Sequence, residues 1–336
     1  MRRHGTAVSA LARLRGAAYH AGNSTGEEAQ MAYQVFIDGE AGTTGLQIRD
    51  RLLKRTDIEL VQVDPARRKD TAARAEAFAK ADVAILCLPD EAAKEAVALA
   101  APFGTKIIDA STAYRTDPAW AFGFPEISKD QRAKIKAASH VSNPGCWSTC
   151  AIALIRPLVD AGLIDPSVGL SLSGVSGYTG GGKSMIAEFE AGTSSGAFLY
   201  AAGQSHKHLP EMMLHGHLTR PPVFVPSVGQ YAQGMAVAVH LPDLGAAGFA
   251  QAEAALRAHY AGEQFVTVVD AATHAPRVLP EALNGTNRLA LSIHGNLASG
   301  AATAIAVLDN LGKGASGAAV QNLNILLGCD EAAGLV

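Results

Sequence analysis

Short apolar runs alternate with amphipathic stretches over the first half of the chain. Residues 35–38, 58–63 and 83–88 are rich in Val, Ile and Leu, which is typical of strands buried in a parallel sheet. Between them, residues 46–53 place apolar side chains on one helix face, and residues 72–80 form an Ala-rich helical stretch. This βαβ rhythm predicts an α/β fold with a Rossmann-like, doubly wound parallel sheet.

The pattern changes after about residue 146, where Gly-rich loops separate segments of more alternating polarity. Such alternation predicts strands with one solvated face, and one helical stretch lies among them, so we expect a mixed α+β domain. Residues 300–311 and 317–327 are predicted to be a closing pair of helical segments. The predicted strands lie at residues 223–226, 234–240, 265–269 and 289–294, and the helix at residues 251–260.

Composition narrows the class of protein. The 336 residues carry a net charge of −3, which gives no reason to expect nucleic acid or an anionic membrane as a partner. The four cysteines lack the spacing of a disulfide framework, so we expect a reducing, cytoplasmic compartment. Cys146 and Cys150 are four positions apart, but no matching Cys/His pair follows them, so no metal site is expected.

The first thirty residues differ from the rest of the chain. They contain four arginines and no acidic residue before Glu27. Such a segment is compatible with a transit peptide, with a disordered tail, or with a true start at Met31, which directly precedes the first predicted strand. A tail or a start at Met31 is the favoured interpretation.

Glycines recur between the first strand and the first helix. Gly39, Gly42 and Gly45 form a GxxGxxG pattern, and glycine there lets the backbone approach a pyrophosphate closely. The following helix start offers free N–H donors, to which Thr43 and Thr44 add hydroxyl groups. In this βαβ context the pattern predicts a dinucleotide site.

Residues at the end of the second strand bear on the choice of cofactor. Asp64 stands where an acidic residue usually binds the ribose 2′-OH of NAD. Arg67, Arg68 and Lys69 follow at once and are suited to the additional phosphate of NADP. This chemistry favours NADP, and a solvated basic turn is the alternative.

Cys146 follows Pro144 and Gly145 directly and precedes a helix-like run. A thiol at a helix start lies among free N–H groups at the positive end of the macrodipole. That setting predicts a lowered thiol pKa and a nucleophile at neutral pH. A small buried cysteine is the structural alternative.

Two histidines and two cationic residues are further candidates. His206 and His208 flank a lysine, and histidine is suited to proton transfer near neutral pH. Arg115 follows the strand at residues 106–109, where it would clamp a phosphate or carboxylate unless it forms a surface salt bridge. Lys183 ends a stretch with P-loop spacing, which we interpret as an anion-binding loop rather than an NTPase site, because its preceding strand is predicted to be short.

Taken in order, these motifs resemble the N-acetyl-gamma-glutamyl-phosphate reductase family. They are G-E-A-G-T-T-G at 39–45, S-N-P-G-C-W-S-T at 142–149, G-Y-T-G-G-G-K at 177–183 and H-K-H-L-P-E at 206–211. The resemblance runs from about residue 33 to residue 328 and favours the shorter, second type of this enzyme. It implies reduction of N-acetyl-5-glutamyl phosphate by NADPH to N-acetylglutamate 5-semialdehyde, in arginine biosynthesis.

The resemblance also implies roles for particular residues. Cys146 would form a thioester with the acyl group, and His206 would be the acid/base catalyst. His208 would be either the alternative acid/base or a substrate ligand. Asn143 and Asn322 would contact the nicotinamide.

Domain organisation and partners follow from the same resemblance. We expect an extension at 1–30, an NADP-binding domain at 31–146, a catalytic and dimerisation domain at 147–298, and a C-terminal helical segment at 299–336 that returns to the first domain. A homodimer or homotetramer is expected. The alternatives are an aspartate-semialdehyde dehydrogenase and a redox-sensing NADP-binding protein without turnover, and the acyl group is either free or carried on a protein.

Overall fold

The computed structural model describes residues 32–194, 196–241, 244–296 and 298–336. The predicted extension at residues 1–30 lies outside them.

The apolar runs of the first half form a six-stranded sheet in which every pair of neighbouring strands is parallel. Its strands are β1 (Tyr33–Asp38), β2 (Ile58–Val61), β3 (Val83–Leu86), β4 (Lys106–Asp109), β5 (Ala121–Phe122) and β6 (His140–Ser142). The strand order is β2-β1-β3-β4-β6-β5. The order reverses between β1 and β3, so a crevice opens at their carboxyl ends, where open parallel sheets bind ligands.

Helices cover both faces of this sheet. They are α1 (Thr43–Leu52), α2 (Thr71–Lys80), α3 (Asp90–Ala100) and α4 (Gln131–Ala137). Successive side chains of β1 enter different cores: Val35 packs with Ile48 of α1, whereas Phe36 packs with Phe78 of α2. A strand with both faces covered needs apolar residues at nearly every position, which is why the apolar runs predicted β1 to β4. The short strands β5 and β6 were not predicted.

The second sheet has seven strands in the order β11-β12-β13-β10-β7-β9-β8. Its strands are β7 (Ser171–Gly177), β8 (Phe198–Leu199), β9 (Val223–Gly229), β10 (Met235–Leu241), β11 (Val266–Val268), β12 (Leu289–Asn296) and β13 (Ala301–Leu308). Pairing is mixed, because β7–β9 and β11–β12 are parallel and the other neighbours are antiparallel. The predicted mixed α+β region is therefore confirmed.

Five further helices complete the fold. They are α5 (Cys146–Asp160), α6 (Gly182–Glu190), α7 (Leu209–His215), α8 (Gly245–His259) and α9 (Gly317–Leu327). Helix α5 is apolar on nearly every side, and it packs against α7, α8 and the strands β10 and β13. Helix α9 instead packs on the first sheet, where Val320 and Leu323 join the core around Val35.

The helical prediction for residues 300–311 was wrong, because residues 301–308 form the strand β13. Alanine at four of these eight positions suggested a helix, but β13 is hydrogen-bonded to β10 on one side and to β12 on the other. Ile305 and Val307 fit a pleated surface, and pairing on both sides outweighs the weak helix propensity of alanine. The second helix of the predicted pair is confirmed as α9.

The assignment of β13 changes the domain boundaries. We propose a nucleotide-binding domain at 31–146 and a second domain that extends from 147 through β13 rather than ending at 298. The C-terminal segment that returns to the first domain is then the part of 299–336 after β13, and its core is α9.

Candidate active site

The loop between β1 and α1 has the backbone of an anion site. Gly39 has a φ of +90°, and a Cβ there would collide with the carbonyl oxygen of Cys87. A Cβ on Gly45 would lie 2.7 Å from the carbonyl oxygen of Gly39. Helix α1 begins at Thr43 with no side-chain cap, so its first N–H groups are available to a ligand. The loop therefore fits a dinucleotide pyrophosphate.

A cavity of about 560 Å³ joins this loop to the start of α5. The loop at 177–183 and the histidine segment around residue 207 complete its wall. Eight of the residues predicted for the site line it: Gly42, Thr43, Thr44, Arg115, Cys146, Lys183, His206 and His208. Motifs spread over more than half of the chain thus meet in one place.

Five predicted cofactor residues do not line this cavity. Gly39 and Gly45 shape the loop instead of facing the ligand. Arg67 lines a separate hollow of about 100 Å³ beside Asp64, at the end of β2, and Arg68 is exposed next to it. Asn322 is fully buried below the cavity floor.

The P-loop-like stretch at 177–183 differs from its prediction. The strand before it, β7, is seven residues long rather than short, and belongs to the mixed second sheet. A 3-10 turn at Tyr178–Gly181 then leads into α6, and the exposed Lys183 faces the cavity. Its anion-binding role stays a prediction.

Cys146 is the first residue of α5 and is partly exposed. The backbone N–H groups of Cys146 and Trp147 act on its sulfur in the direction that the sequence predicts, and so does the Arg115 guanidinium. Burial outweighs them, however, and raises the pKa of the Cys146 thiol to about 11. The predicted lowering of the thiol pKa was therefore wrong.

This pKa predicts how the thiol reacts. We expect the rate at which iodoacetamide alkylates Cys146 to rise about tenfold per pH unit from neutral pH upward, because the thiolate fraction grows by that factor below the pKa. Peptide mass spectrometry separates Cys146 from the partly exposed Cys329. A rate that is already constant near neutral pH would instead show a stable thiolate.

Glu211 joins several of the residues around Cys146. One of its carboxylate oxygens accepts from Arg115 Nη1 at 2.7 Å, and the other accepts from the backbone N–H of Gly145 at 3.2 Å. Arg115 also donates to the carbonyl oxygens of Asn143 (2.9 Å) and Ala110 (3.0 Å). Because Arg115 is buried, the alternative of a surface salt bridge was wrong. Its guanidinium clamps protein groups, and contact with substrate stays a prediction.

The two histidines differ in their surroundings. His206 Nδ1 accepts from the backbone N–H of His208 at 3.1 Å, which implies that the ring proton is on Nε2. His208 is buried, its ring packs on Gly145, and its Nδ1 has no hydrogen-bond partner among the described residues. Its Nε2 lies 4.0 Å from Glu211 Oε1.

Both imidazoles are neutral at neutral pH. Burial, followed by Lys207 and Arg115, lowers the pKa of His206 to about 4. Burial also lowers the pKa of His208 well below its usual value. A neutral His206 with its proton on Nε2 is suited to donate a hydrogen bond to a developing oxyanion.

Asn322 does not reach the cavity itself but is hydrogen-bonded to Asn143, which does. Its Nδ2 donates to the carbonyl oxygen of Gly123 (2.9 Å) and to Asn143 Oδ1 (3.1 Å). Asn143 lines the cavity and donates to the carbonyl oxygen of Ala315. The structure thus gives Asn322 a place behind Asn143.

Sequence reasoning missed Glu211 and the segment Gly312–Ser316. Glu211 closes the H-K-H-L-P-E motif, and its acidic side chain in the first turn of α7 was the available signal. Gly312–Ser316 is a short π-helix between β13 and α9, for which the sequence offers no comparable pattern.

Two negative observations apply to the described residues alone. They contain no group of three or more His, Cys, Asp and Glu side chains arranged to hold a metal ion. None of the helices in the described ranges combines the length and the apolarity needed to cross a membrane.

A parallel nucleotide-binding sheet joined to a mixed sheet, with a cysteine between them, is the architecture of an NAD(P)-dependent dehydrogenase. Residues 34–136 match the semialdehyde dehydrogenase NAD-binding domain, and residues 146–310 match the semialdehyde dehydrogenase dimerisation domain. Aspartate semialdehyde dehydrogenase from Francisella tularensis shares this fold, with a TM-score of 0.68, 16% identity, and coverage of 88% of this chain and 100% of that chain. The enzyme from Candida albicans, solved with NADP, gives a TM-score of 0.60 at 16% identity over 88% and 98%.

Sequence similarity is more specific. N-acetyl-gamma-glutamyl-phosphate reductases from Brucella ovis and Brucella canis are each 49% identical to this chain over 309 residues. The match covers 89% of this chain and 100% of each relative. The chain therefore belongs to the N-acetyl-gamma-glutamyl-phosphate reductase family, an oxidoreductase family, as its motifs indicated.

Proposed function

We propose that this protein reduces N-acetyl-5-glutamyl phosphate to N-acetyl-L-glutamate 5-semialdehyde with NADPH, releasing phosphate, in arginine biosynthesis. The observation that carries the proposal is the shared cavity, in which the dinucleotide loop, Cys146 and the two histidines meet. An acyl-phosphate reductase needs these three parts together, and the family relatives carry the same activity in their name.

The proposed reaction begins at Cys146 and proceeds through a thioester. Cys146 Sγ attacks the acyl carbon while its proton passes to an imidazole, and the C–O bond to phosphate breaks to leave a thioester. Bound NADPH would supply the hydride for reduction of this thioester to a thiohemiacetal. The imidazolium formed in the first step, His206 or alternatively His208, returns its proton to the hemiacetal oxygen. Collapse of the thiohemiacetal then restores the thiol and releases the aldehyde.

The cationic side chains favour an anionic substrate. Lys183 is an exposed ammonium on the cavity wall, and Arg115 contributes positive charge from below it. We propose that Lys183 binds the phosphate or carboxylate directly. Arg115 would contribute mainly through Glu211 and Gly145, because its donors already bond protein groups.

We propose that Gly42, Thr43 and Thr44 bind the pyrophosphate of NADP and that Arg67 and Arg68 bind its 2′-phosphate. Substitution of both arginines by alanine should raise the KM for NADPH about tenfold or more, since a hydrogen bond to a charged group contributes about 1.5–3 kcal/mol. The KM for NADH, which lacks the 2′-phosphate, should change little and is the internal control. An equal loss for both cofactors would remove these residues from the site.

A second candidate is aspartate-semialdehyde dehydrogenase, because solved enzymes of that name share the fold. Phosphate-dependent oxidation of N-acetylglutamate 5-semialdehyde and of aspartate semialdehyde, each with NADP⁺ and NAD⁺, decides between the two. We expect turnover with the first aldehyde and NADP⁺. Turnover of aspartate semialdehyde alone would overturn the proposal, and absence of turnover with both would favour a non-catalytic, redox-sensing protein.

The match to a dimerisation domain at residues 146–310 indicates a homo-oligomer. We propose a homodimer or homotetramer, and the mass in solution by light scattering would separate these from each other and from a monomer. We also propose a cytoplasmic location, because all four cysteines are unpaired in the structure, and cell fractionation tests it.

A further inference from the structure

A fully buried lysine lies between the two sheets, outside the wall of the cavity. The side chain of Lys313 is 1% exposed, and its Nζ lies 2.7 Å from Glu126 Oε1, whose side chain is 0% exposed. Nζ also donates to Gln321 Oε1 at 2.7 Å and lies over the rings of Phe124 and Phe265, at 5.5 and 5.6 Å. The ammonium is thus held from several sides at once.

Burying an ion pair in a protein interior carries a large desolvation free energy. Removing two charges from water costs several kcal/mol each, and apolar residues of similar volume are often at least as stable. Burial raises the pKa of Glu126, but Lys313, Gln321 and Arg132 together lower it by more, so the net pKa lies below its usual value and the carboxylate stays ionised. Since burial of the charges brings little net stability, a role in fixing geometry is the stronger explanation.

The pair anchors the π-helix Gly312–Ser316 in the middle of the molecule. Gln321 of α9 donates to Glu126 Oε1 at 2.9 Å, so the anchor joins the π-helix, the turn after β5 and α9. Lys313 itself does not line the cavity, although its neighbours Leu311 and Gly314 do. The lysine side chain therefore points away from the site while the backbone that carries it forms the floor.

That floor touches the nucleophile. A Cβ on Gly314 would lie 2.8 Å from Cys146 Cβ, so the backbone of the π-helix rests directly against the cysteine. No larger residue fits there unless the cysteine moves. The position of the π-helix consequently sets how far Sγ projects into the cavity.

The same segment also touches both neighbouring parts of the site. The carbonyl oxygen of Ala315 accepts from Asn143 Nδ2 at 3.0 Å, in the loop before the nucleophile. Ser316 Oγ donates to Gln47 Oε1 at 3.0 Å, on the helix that follows the dinucleotide loop. The π-helix Gly312–Ser316 therefore contacts both the loop before Cys146 and helix α1, and so fixes the distance between the thiol and α1.

We propose that Lys313 is a positioning residue, which through its ion pair with Glu126 fixes Gly312–Ser316 and thereby the position of Cys146 relative to α1. The consequence for turnover rests on the proposed reductase function. Because Lys313 does not line the cavity, it acts on the rate only indirectly, through the backbone that it holds in place.

The test removes both charges together, so that neither is left buried alone. Lys313→Met combined with Glu126→Leu should fold, and kcat should fall about 10- to 100-fold, the loss that a displacement of about 1 Å causes. The KM values for NADPH and acyl phosphate should stay within about twofold, because binding groups are untouched. A folded double variant with wild-type kcat would overturn the proposal.

Thr105 offers a control outside this network. It precedes β4, does not line the cavity, and its buried Oγ1 donates to the carbonyl oxygen of Phe78 at 2.6 Å. Thr105→Val should lower the unfolding temperature and leave kcat unchanged, because no bond among the described residues links it to the π-helix. If it lowers kcat by the same factor as the double variant, the effect of Lys313 is a general loss of stability, and the positioning role is wrong.

A second variant applies if the double variant does not fold. Gly314→Ala keeps the ion pair and pushes a methyl group against Cys146, so kcat should fall while NADPH affinity, measured by fluorescence titration, is retained. Wild-type kcat in Gly314→Ala would show that the π-helix does not set the thiol position, and the proposal would fail.

Alkylation of Cys146 by iodoacetamide separates this inference from the reductase function. The measurement needs no substrate, and the alkylation rate at a fixed pH should change in both variants if the projection of Sγ into the cavity changes. An inactive wild-type protein would overturn the proposed function, whereas an unchanged alkylation rate in both variants would overturn the positioning role.

Discussion

Replacement of Cys146 by serine should lower kcat at least ~10³-fold, as expected for an essential nucleophile. A hydroxyl is a far weaker nucleophile than a thiolate near neutral pH, and an oxygen ester accepts hydride less readily than a thioester. Because Ser is similar in size to Cys, the packing against Gly314 is retained, and NADPH binding should remain. Initial rates with the acyl phosphate and titration with NADPH measure the two effects.

Cys150 provides the matched control for this result. It lies one helical turn further along α5, is fully buried and does not line the cavity. Cys150→Ala should therefore keep kcat near the wild-type value while losing some stability through the small void. Near-normal turnover in Cys146→Ser would contradict the thioester mechanism.

His206→Asn should lower kcat about 10²–10⁴-fold, the usual contribution of a positioned acid/base group. The structure supports this choice because Nδ1 of His206 accepts a backbone N–H, which leaves Nε2–H available to donate to the reacting oxygen. Cofactor binding should be spared, since the ring lies on the side of the cavity formed by the second sheet. Steady-state kinetics and NADPH titration test both statements.

The comparison with His208→Asn decides between the two histidines. If His208→Asn shows the larger loss with intact cofactor binding, their roles are reversed. His217→Asn is the control, because His217 is exposed, pairs with Asp160 on the surface, and has a positive φ that asparagine tolerates. It should retain full activity.

The first four strands of the parallel sheet were predictable from the sequence because both faces of the sheet are covered. Every residue of β3 is buried, so a plain apolar run carried the signal, and the glycine loop marked the adjoining turn. Strand β13 was not predictable in the same way. Its alternating exposure depends on pairing with β12 across a short turn and also with β10, which lies about sixty residues earlier in the chain. Local propensity carries no information about such partners.

The electrostatics of the site depended even more on the fold. A helix start alone predicts a lowered thiol pKa, and the N–H groups do act in that direction on Cys146. The net pKa rises because burial is stronger, and burial depends on residues from several segments packed around the thiol. The surroundings of Arg115 also depend on the fold, because its partner Glu211 lies ninety-six positions away in the chain.

The family membership could be inferred from the chain alone, through a cysteine at a helix start, a glycine loop, two histidines and the order of these motifs. These features are local, because each depends on a few consecutive residues and on backbone geometry. Which residues line the cavity and which lie behind its wall depends on the tertiary structure. In the folded chain Arg115 pairs with Glu211, Asn322 donates to Asn143, and Lys313 pairs with Glu126 behind the π-helix that contacts Cys146. These contacts depend on long-range packing and burial.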